Sequence, residues 1–273
     1  MRFGWTPVTA LIVLAIPAHA QLSGRADATV TGRYVWHGIS RAAGLLAQPS
    51  LAAGFRLHGL SLDGGAVLHY ELDHVAPGEL SEVGTGNGGL GEADFWGRAA
   101  LDVGPARLQA GVVRYTFHGD PARGGLGPAL NTTEVYAALS TTTQYTRKSL
   151  EAWWDVDRVH GGFLRGSFDL PILGWPFPPF AFLFVDGEAG LNIGQRANFD
   201  HRGVTHAALG VGAELRAGHL GGIGWATFAG GLRTQLNLDD ATRFSGVGKS
   251  RDVVVWLWTG VTIVLGRDAR EVR

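Results

Sequence analysis

Glu92-Ala93-Asp94-Phe95-Trp96-Gly97-Arg98-Ala99-Ala100-Leu101-Asp102-Val103 is the stretch whose reading decides the fold. Ala93, Phe95, Gly97, Ala99, Leu101 and Val103 share one parity, and Glu92, Asp94, Trp96, Arg98 and Asp102 share the other. A period of two belongs to an extended strand, whose successive side chains point to opposite faces. One face here is apolar throughout and the other is mostly charged. The stretch is about twice the five or six residues of an ordinary soluble strand. It has the length a tilted strand needs to cross a hydrocarbon layer.

The pattern recurs along the chain. In 25–36, Ala26, Ala28, Val30, Gly32, Tyr34 and Trp36 oppose Arg25, Asp27, Thr29, Thr31 and Arg33. In 205–216, Ala207, Leu209, Val211, Ala213 and Leu215 oppose His206, Glu214 and Arg216. Twelve such segments are expected, at 25–36, 48–58, 59–72, 91–103, 106–117, 132–141, 149–159, 161–171, 180–193, 203–216, 220–235 and 251–266. Tight joints at 58–59, 104–105 and 218–219 alternate with long ones at 73–90, 118–131, 194–202 and 236–250. The joints at 159–162 and 172–179 break that rhythm. Short turns at one end and long loops at the other are the signature of a transmembrane barrel. An even strand count returns both termini to one side, and closure removes the sheet edges that lipid could not satisfy. The expected fold is therefore all-β, a transmembrane antiparallel up-and-down β-barrel of about twelve strands. Tyr34, Trp36, Tyr70, Tyr115 and Phe117, near strand ends, are expected to form its interfacial girdle.

Composition agrees and removes other classes. Of 273 residues, 42 are Gly and none is Cys, and only 17% are charged. Without Cys there is no disulfide framework, thiolate metal site or lipid-modified thiol. A net charge of −1 lacks the basic excess of a nucleic-acid binder. A hydrophobic fraction of 45% argues against disorder. The start of the chain has its own character: Arg2, an apolar run over 8–16, then Ala18-His19-Ala20. This is the pattern of a secretory signal cleaved after Ala20, leaving 21–273 as the barrel. No later segment reaches the roughly 18 consecutive apolar residues of a membrane helix.

Residues 28–40, Ala-Thr-Val-Thr-Gly-Arg-Tyr-Val-Trp-His-Gly-Ile-Ser, precede Gln48-Pro49-Ser50-Leu51. Together these resemble the opening of the TorF-like porins of Gram-negative bacteria, in which Arg commonly stands where this chain has His37. The resemblance implies a channel-like barrel in the outer membrane and supplies no catalytic residues.

By parity the inward faces carry Arg25, Asp27, Arg33, Arg56, Asp63, Glu71, Asp94, Arg98, Asp102, Arg114, Asp155, Arg165, Glu214, Arg216 and Arg233 as candidate pore-lining residues. Glu92, Arg107, Glu134, Glu151, Asp157 and Asp169 share those faces. Two readings are open. A water-filled lumen lowers the cost of such charges and would screen small polar solutes passing through. Alternatively, the charges pair across the wall and the interior is a plugged, non-conducting scaffold or an enzymatic barrel. Twelve strands enclose more room than eight, which favours the channel. The expected partners are outer-membrane lipid, the outer-membrane assembly machinery and small polar solutes, with no nucleic acid. The assembly signal is expected within 253–265, and 266–273 is expected to be a free periplasmic tail.

Chemical motifs are weak. Gly84-Thr85-Gly86-Asn87-Gly88-Gly89 fits G-x-G-x-x-G but lies in a loop before a strand, not between a strand and a helix. His69, Glu71, Asp73 and His74, and likewise Asp155, Asp157 and His160 beside Trp153, read as lumen and loop residues in water rather than metal ligands. Asn131-Thr132-Thr133 matches a glycosylation sequon that has no role in a bacterial barrel. Ser81, Ser149, Ser167 and Ser245 lack a nucleophile-elbow context. No catalysis, metal or cofactor is expected.

Overall fold

In the computed structural model the alternating segments close into a ring. The structure describes residues 21–42, 44–72, 88–119, 127–143, 146–172, 181–195, 198–199, 201–219, 224–244 and 252–266. The strands in chain order begin with β1 (Gln21–Thr31), β2 (Tyr34–Trp36), β3 (Ile39–Ala42), β4 (Leu46–Leu57) and β5 (Leu60–Glu71). They continue with β6 (Gly89–Val103), β7 (Ala106–Phe117), β8 (Thr132–Thr142), β9 (Arg147–Asp155) and β10 (Gly161–Ile172). The last are β11 (Ala181–Asn192), β12 (Gly203–His219), β13 (Gly224–Asn237) and β14 (Val253–Gly266). A short helix, α1 (Asp240–Phe244), precedes β14. No helix among the described residues is long and apolar enough to cross a membrane.

Strands β1 and β4 to β14 form one closed antiparallel barrel of twelve strands. β1 makes the closure, with Arg25 opposite Val264 of β14 on one side and Ala52 of β4 on the other. Every other pairing in the barrel joins strands consecutive along the chain. The sheet therefore has no free edge.

Parity sorts the side chains. Leu51 and Leu257, 68% and 67% exposed, belong to the outward apolar belt with Phe95, Leu101, Leu209 and Val211. The opposite parity points into the lumen and carries most of the charge. At one end the joints are mostly short, the longer one at 173–180 lying outside the described residues. His58-Gly59, with φ of 49° and 84°, is a two-residue turn with both central residues left-handed, the geometry that matches strand twist. The other end carries the long joints. The exception there is 156–160, and one side chain explains it. Asp155 Oδ1 accepts hydrogen bonds from the backbone N–H groups of Asp157, Arg158 and Val159 at 3.0, 2.8 and 2.9 Å. The chain thus folds over the carboxylate at once, and the expected strand 149–159 ends at Asp155.

The first strand departs from expectation. It was expected to run to Trp36 but ends at Thr31, whose hydroxyl donates to the Arg33 carbonyl at 3.0 Å. Gly32 still donates to Leu257 O at 3.0 Å, and beyond it the chain leaves the wall. β2 and β3 form a separate two-stranded sheet.

Candidate functional site

The β2–β3 hairpin folds into the lumen at the long-loop end and reaches across it. Its turn is His37-Gly38, with φ of 47° and 83°, the same left-handed pair as at 58–59. Each hairpin residue meets a different part of the wall. The Tyr34 ring lies 4.2 Å from that of His69 on β5, and its hydroxyl donates to Glu92 Oε1 on β6 at 3.3 Å. Trp36 meets Tyr115 of β7 edge-on at 6.0 Å. His37 packs 4.3 Å from the Phe163 ring of β10, and the Gly38 carbonyl accepts from Gln235 Nε2 of β13 at 2.6 Å. A Cβ added to Gly38 would overlap the His206 ring of β12. β5 and β12 stand nearly opposite each other in the ring, so the hairpin spans the bore.

The anchor under the tip is a buried carboxylate. Glu134 of β8 accepts from Tyr115 OH and Gln195 Nε2, both at 2.9 Å, and its Oε2 lies 3.0 Å from His37 Nε2. Ile39 completes the contact by packing with Phe163 and Phe199. Tyr34 lies in the hairpin, outside the strands of the barrel wall. Burial, and next the charge of Glu92, hold its hydroxyl well above the ordinary phenol range, so it stays a neutral donor.

Toward the turn end the lumen wall carries ion pairs between adjacent strands. Asp63 and Arg98 face each other in register at 2.6 Å, as do Glu151 and Arg165 at 2.7 Å. Asp102 is shared by Arg56 and Arg107 at 2.6 and 2.9 Å. Arg233 reaches Asp186 at 2.8 Å and Glu188 at 3.3 Å. Arg25 with Asp27 and Arg216 with Glu214 pair two residues apart along one strand.

Thirteen of the fifteen residues expected to line the bore take the lumen parity, namely Arg25, Asp27, Arg56, Asp63, Glu71, Asp94, Arg98, Asp102, Asp155, Arg165, Glu214, Arg216 and Arg233. Within that set Asp155 is occupied with its own loop. Two placements are corrected. Arg114 has the outward parity of Leu108 and Val112 and reaches Asp157 at 2.5 Å and Thr133 at 2.8 Å at the rim. Arg33 lies beyond the end of β1, buried in the root of the hairpin, where it donates to Ser40. The girdle is corrected as well. Tyr34, Trp36, Tyr115 and Phe117 turn inward, and Tyr70 alone of the five points out, 46% exposed. His206, Gln235 and Gln195, all buried at the hairpin, were given no role from sequence, and His37 was noted only as the place where the TorF-like porins commonly have Arg. The Ser81, Asp73, His74 and Ser245 considered above lie outside the described residues, as do most of the Gly-rich stretch and the signal and tail segments.

Among the described residues, one group could hold a metal ion: His69, Glu92 and Asp94, whose ligand atoms all lie within 4.8 Å of one another.

No protein-family model matches the chain, and no curated sequence matches it. Solved structures of similar outline exist. The COG4313 outer membrane channel from Pseudomonas putida F1 aligns with a TM-score of 0.47 and 14% identity, covering 92% of this chain and 97% of that one. LpxR from Salmonella typhimurium gives 0.48 and 9%, over 89% and 99%. A KdgM porin in complex with disordered oligogalacturonate gives 0.43 and 9%, over 89% and 98%. At these scores none of the likenesses bears on what this chain binds or does.

Proposed function

We propose that this chain is an outer-membrane channel through which small polar solutes diffuse passively, narrowed at its long-loop end by the β2–β3 hairpin. The observation that carries this reading is the half-hydrated lumen wall. Arg98, Arg107 and Arg216 keep 34%, 31% and 31% of their side chains open to water while pairing with carboxylates. Such a wall suits a water-filled bore and discriminates solutes by charge. The outward belt of Leu, Val and Phe is far larger than the apolar patches a water-soluble surface tolerates, and it suits hydrocarbon. In this reading 1–20 is a cleaved secretory signal, both termini face the periplasm, and the assembly machinery reads β14. Membership of the TorF-like porins belongs to the same proposal and rests on the residues at 28–40 and 48–51. No residue is given a catalytic role.

The hairpin itself favours a second reading, a barrel that does not conduct. Its contacts run from β5 to β13 and fill much of the bore at that end.

Conductance in planar bilayers separates the two readings. The variant to compare replaces 33–42 with a short Gly-Ser link, which leaves the pairing of β1 with β4 untouched. Discrete steps from the native chain, growing larger in the variant, support the channel. Silence from the native chain with conduction by the variant assigns the hairpin as a closed plug. Silence from both, with folding verified, overturns the channel.

A further inference from the structure

We propose that His69, Glu92 and Asp94 form a binding site for one divalent transition-metal ion, of the Zn2+ or Mn2+ class, at the outer end of the β5–β6 ladder. The inference does not depend on whether the barrel conducts.

The site is built by register. His69 sits directly opposite Glu92, and Asp94 follows two residues along the same lumen face. The pairing then slips, because Tyr70 faces Leu90 and leaves Gly91 as the extra residue of a bulge. Bulges twist a strand locally and re-aim side chains. All three ligands are buried, and their donor atoms converge within 4.8 Å.

The partners of the carboxylates bear on the site. Glu134 and Asp155, two other buried acids at this end, are satisfied by surrounding donors. Glu92 is 1% exposed, yet its Oε2 has no hydrogen-bond partner, and neither does Asp94 Oδ1. Buried polar atoms are rarely left without a partner, and a bound ion is one way in which such atoms are satisfied. The guanidinium of Arg41, stacked on Trp36, attracts Glu92, and the two carboxyl groups lie close enough to share a proton with each other when no ion is bound.

The imidazole is held for the task. Gln48 Nε2 lies 2.9 Å from His69 Nδ1, and Tyr34 covers one ring face, so Nε2 is aimed at Asp94 at 3.0 Å. A fixed outer nitrogen is how metal-ligating histidines are oriented. With an ion bound, Nε2 gives its lone pair and Nδ1–H donates to the Gln48 carboxamide oxygen, which a flip of that amide allows. Access is provided too. Glu92 lines a cavity of about 340 Å³ between the hairpin and the wall, together with Tyr34, Trp36, Arg41, Tyr115 and Arg158. One nitrogen with two carboxylates is a mixed donor set. Imidazole selects against Mg2+ and Ca2+, and the absence of Cys removes soft thiolate competition.

The test uses untagged, refolded barrel, stripped with chelator and then loaded with Zn2+ or Mn2+, with Mg2+ as the control. Bound metal is counted after desalting, and affinity is measured by calorimetry. Retention of one Zn2+ or Mn2+ per chain is expected, weakened at least ~10-fold in Glu92→Gln, Asp94→Asn and His69→Gln and little changed in Asp63→Asn. Heat-modifiable migration reports that each variant is folded. X-ray absorption of the Zn-loaded native protein needs no variant and should show one imidazole nitrogen among oxygen ligands. No retained ion, equal retention in the triad variants, or coordination by several imidazoles would each overturn the site.

Discussion

His37 Nε2 and Glu134 Oε2 lie 3.0 Å apart, 97 residues apart in sequence, with side chains 4% and 0% exposed. One belongs to the hairpin tip and the other to the wall, so this contact ties the tip across the bore. Removing His37 takes away one of the three partners of the buried Glu134 carboxylate, and a lost hydrogen bond to a charged group costs about 1.5–3 kcal/mol. His37→Ala should therefore release the tip while the wall persists. The expected result is a higher single-channel conductance and faster proteolysis near 33–42, with unchanged heat-modifiable migration. A variant indistinguishable from the native chain in both assays would show that the pair does not hold the hairpin.

Gly38 offers a sharper probe. A side chain there is strained by the positive φ of 83° and collides with His206. The left-handed backbone alone costs about 1–2 kcal/mol for a residue with a Cβ. Gly38→Ala should dislodge the tip from His206 and Gln235, whereas His206→Ala in the same background should restore much of the closure. Conductance of the single and double variants checks this. Additive effects would mean that the two residues do not meet.

The outward parity predicts a one-sided intolerance to charge. Leu209, 49% exposed on the outer face, should not accept Arg, which costs ~2–4 kcal/mol near the bilayer midplane. Ala138→Arg, on a lumen position in register with Glu151, should be tolerated because its charge finds a partner. Folding yield into lipid vesicles measures the difference. Equal yields would contradict the assigned faces.

Topology gives a cellular test. Epitopes inserted at 80, 123 and 248 fall in the joints at the long-loop end and should be reached by antibody on intact cells. Reactivity appearing only after permeabilisation would invert the barrel.

Most of the wall was legible because a barrel strand with an apolar outer face and a polar inner face must alternate, and β7 and β8 were bounded nearly to the residue. The hairpin was not legible from alternation. Tyr34 and Trp36 continue the parity of Ala26 and Val30, so a period of two reads straight through the point where the chain leaves the wall. The missed signal was His37-Gly38, the same dipeptide that reads as a turn at 58–59. Arg114 failed for a different reason. It sits near the end of β7, where the strand emerges into water and either face accepts a charge, so the charge carries no parity information there. The ion-binding group needed the register itself, since His69 and Glu92 become neighbours only once β5 and β6 are paired.

The seam from which the hairpin springs has an engineering consequence. β1 and β4 are bonded to each other from Gln21 opposite Arg56 to Thr31 opposite Leu46, so the wall is already complete beneath the segment between them. The part of that segment from 33 to 42 is an exchangeable cassette: both of its ends leave from neighbouring strands, and its replacement keeps the bonds of Gly32 to Leu257 and of Leu45 to Leu72. A binding peptide, a sensor loop or a differently shaped constriction could be spliced there, and the same barrel would present it to the bore.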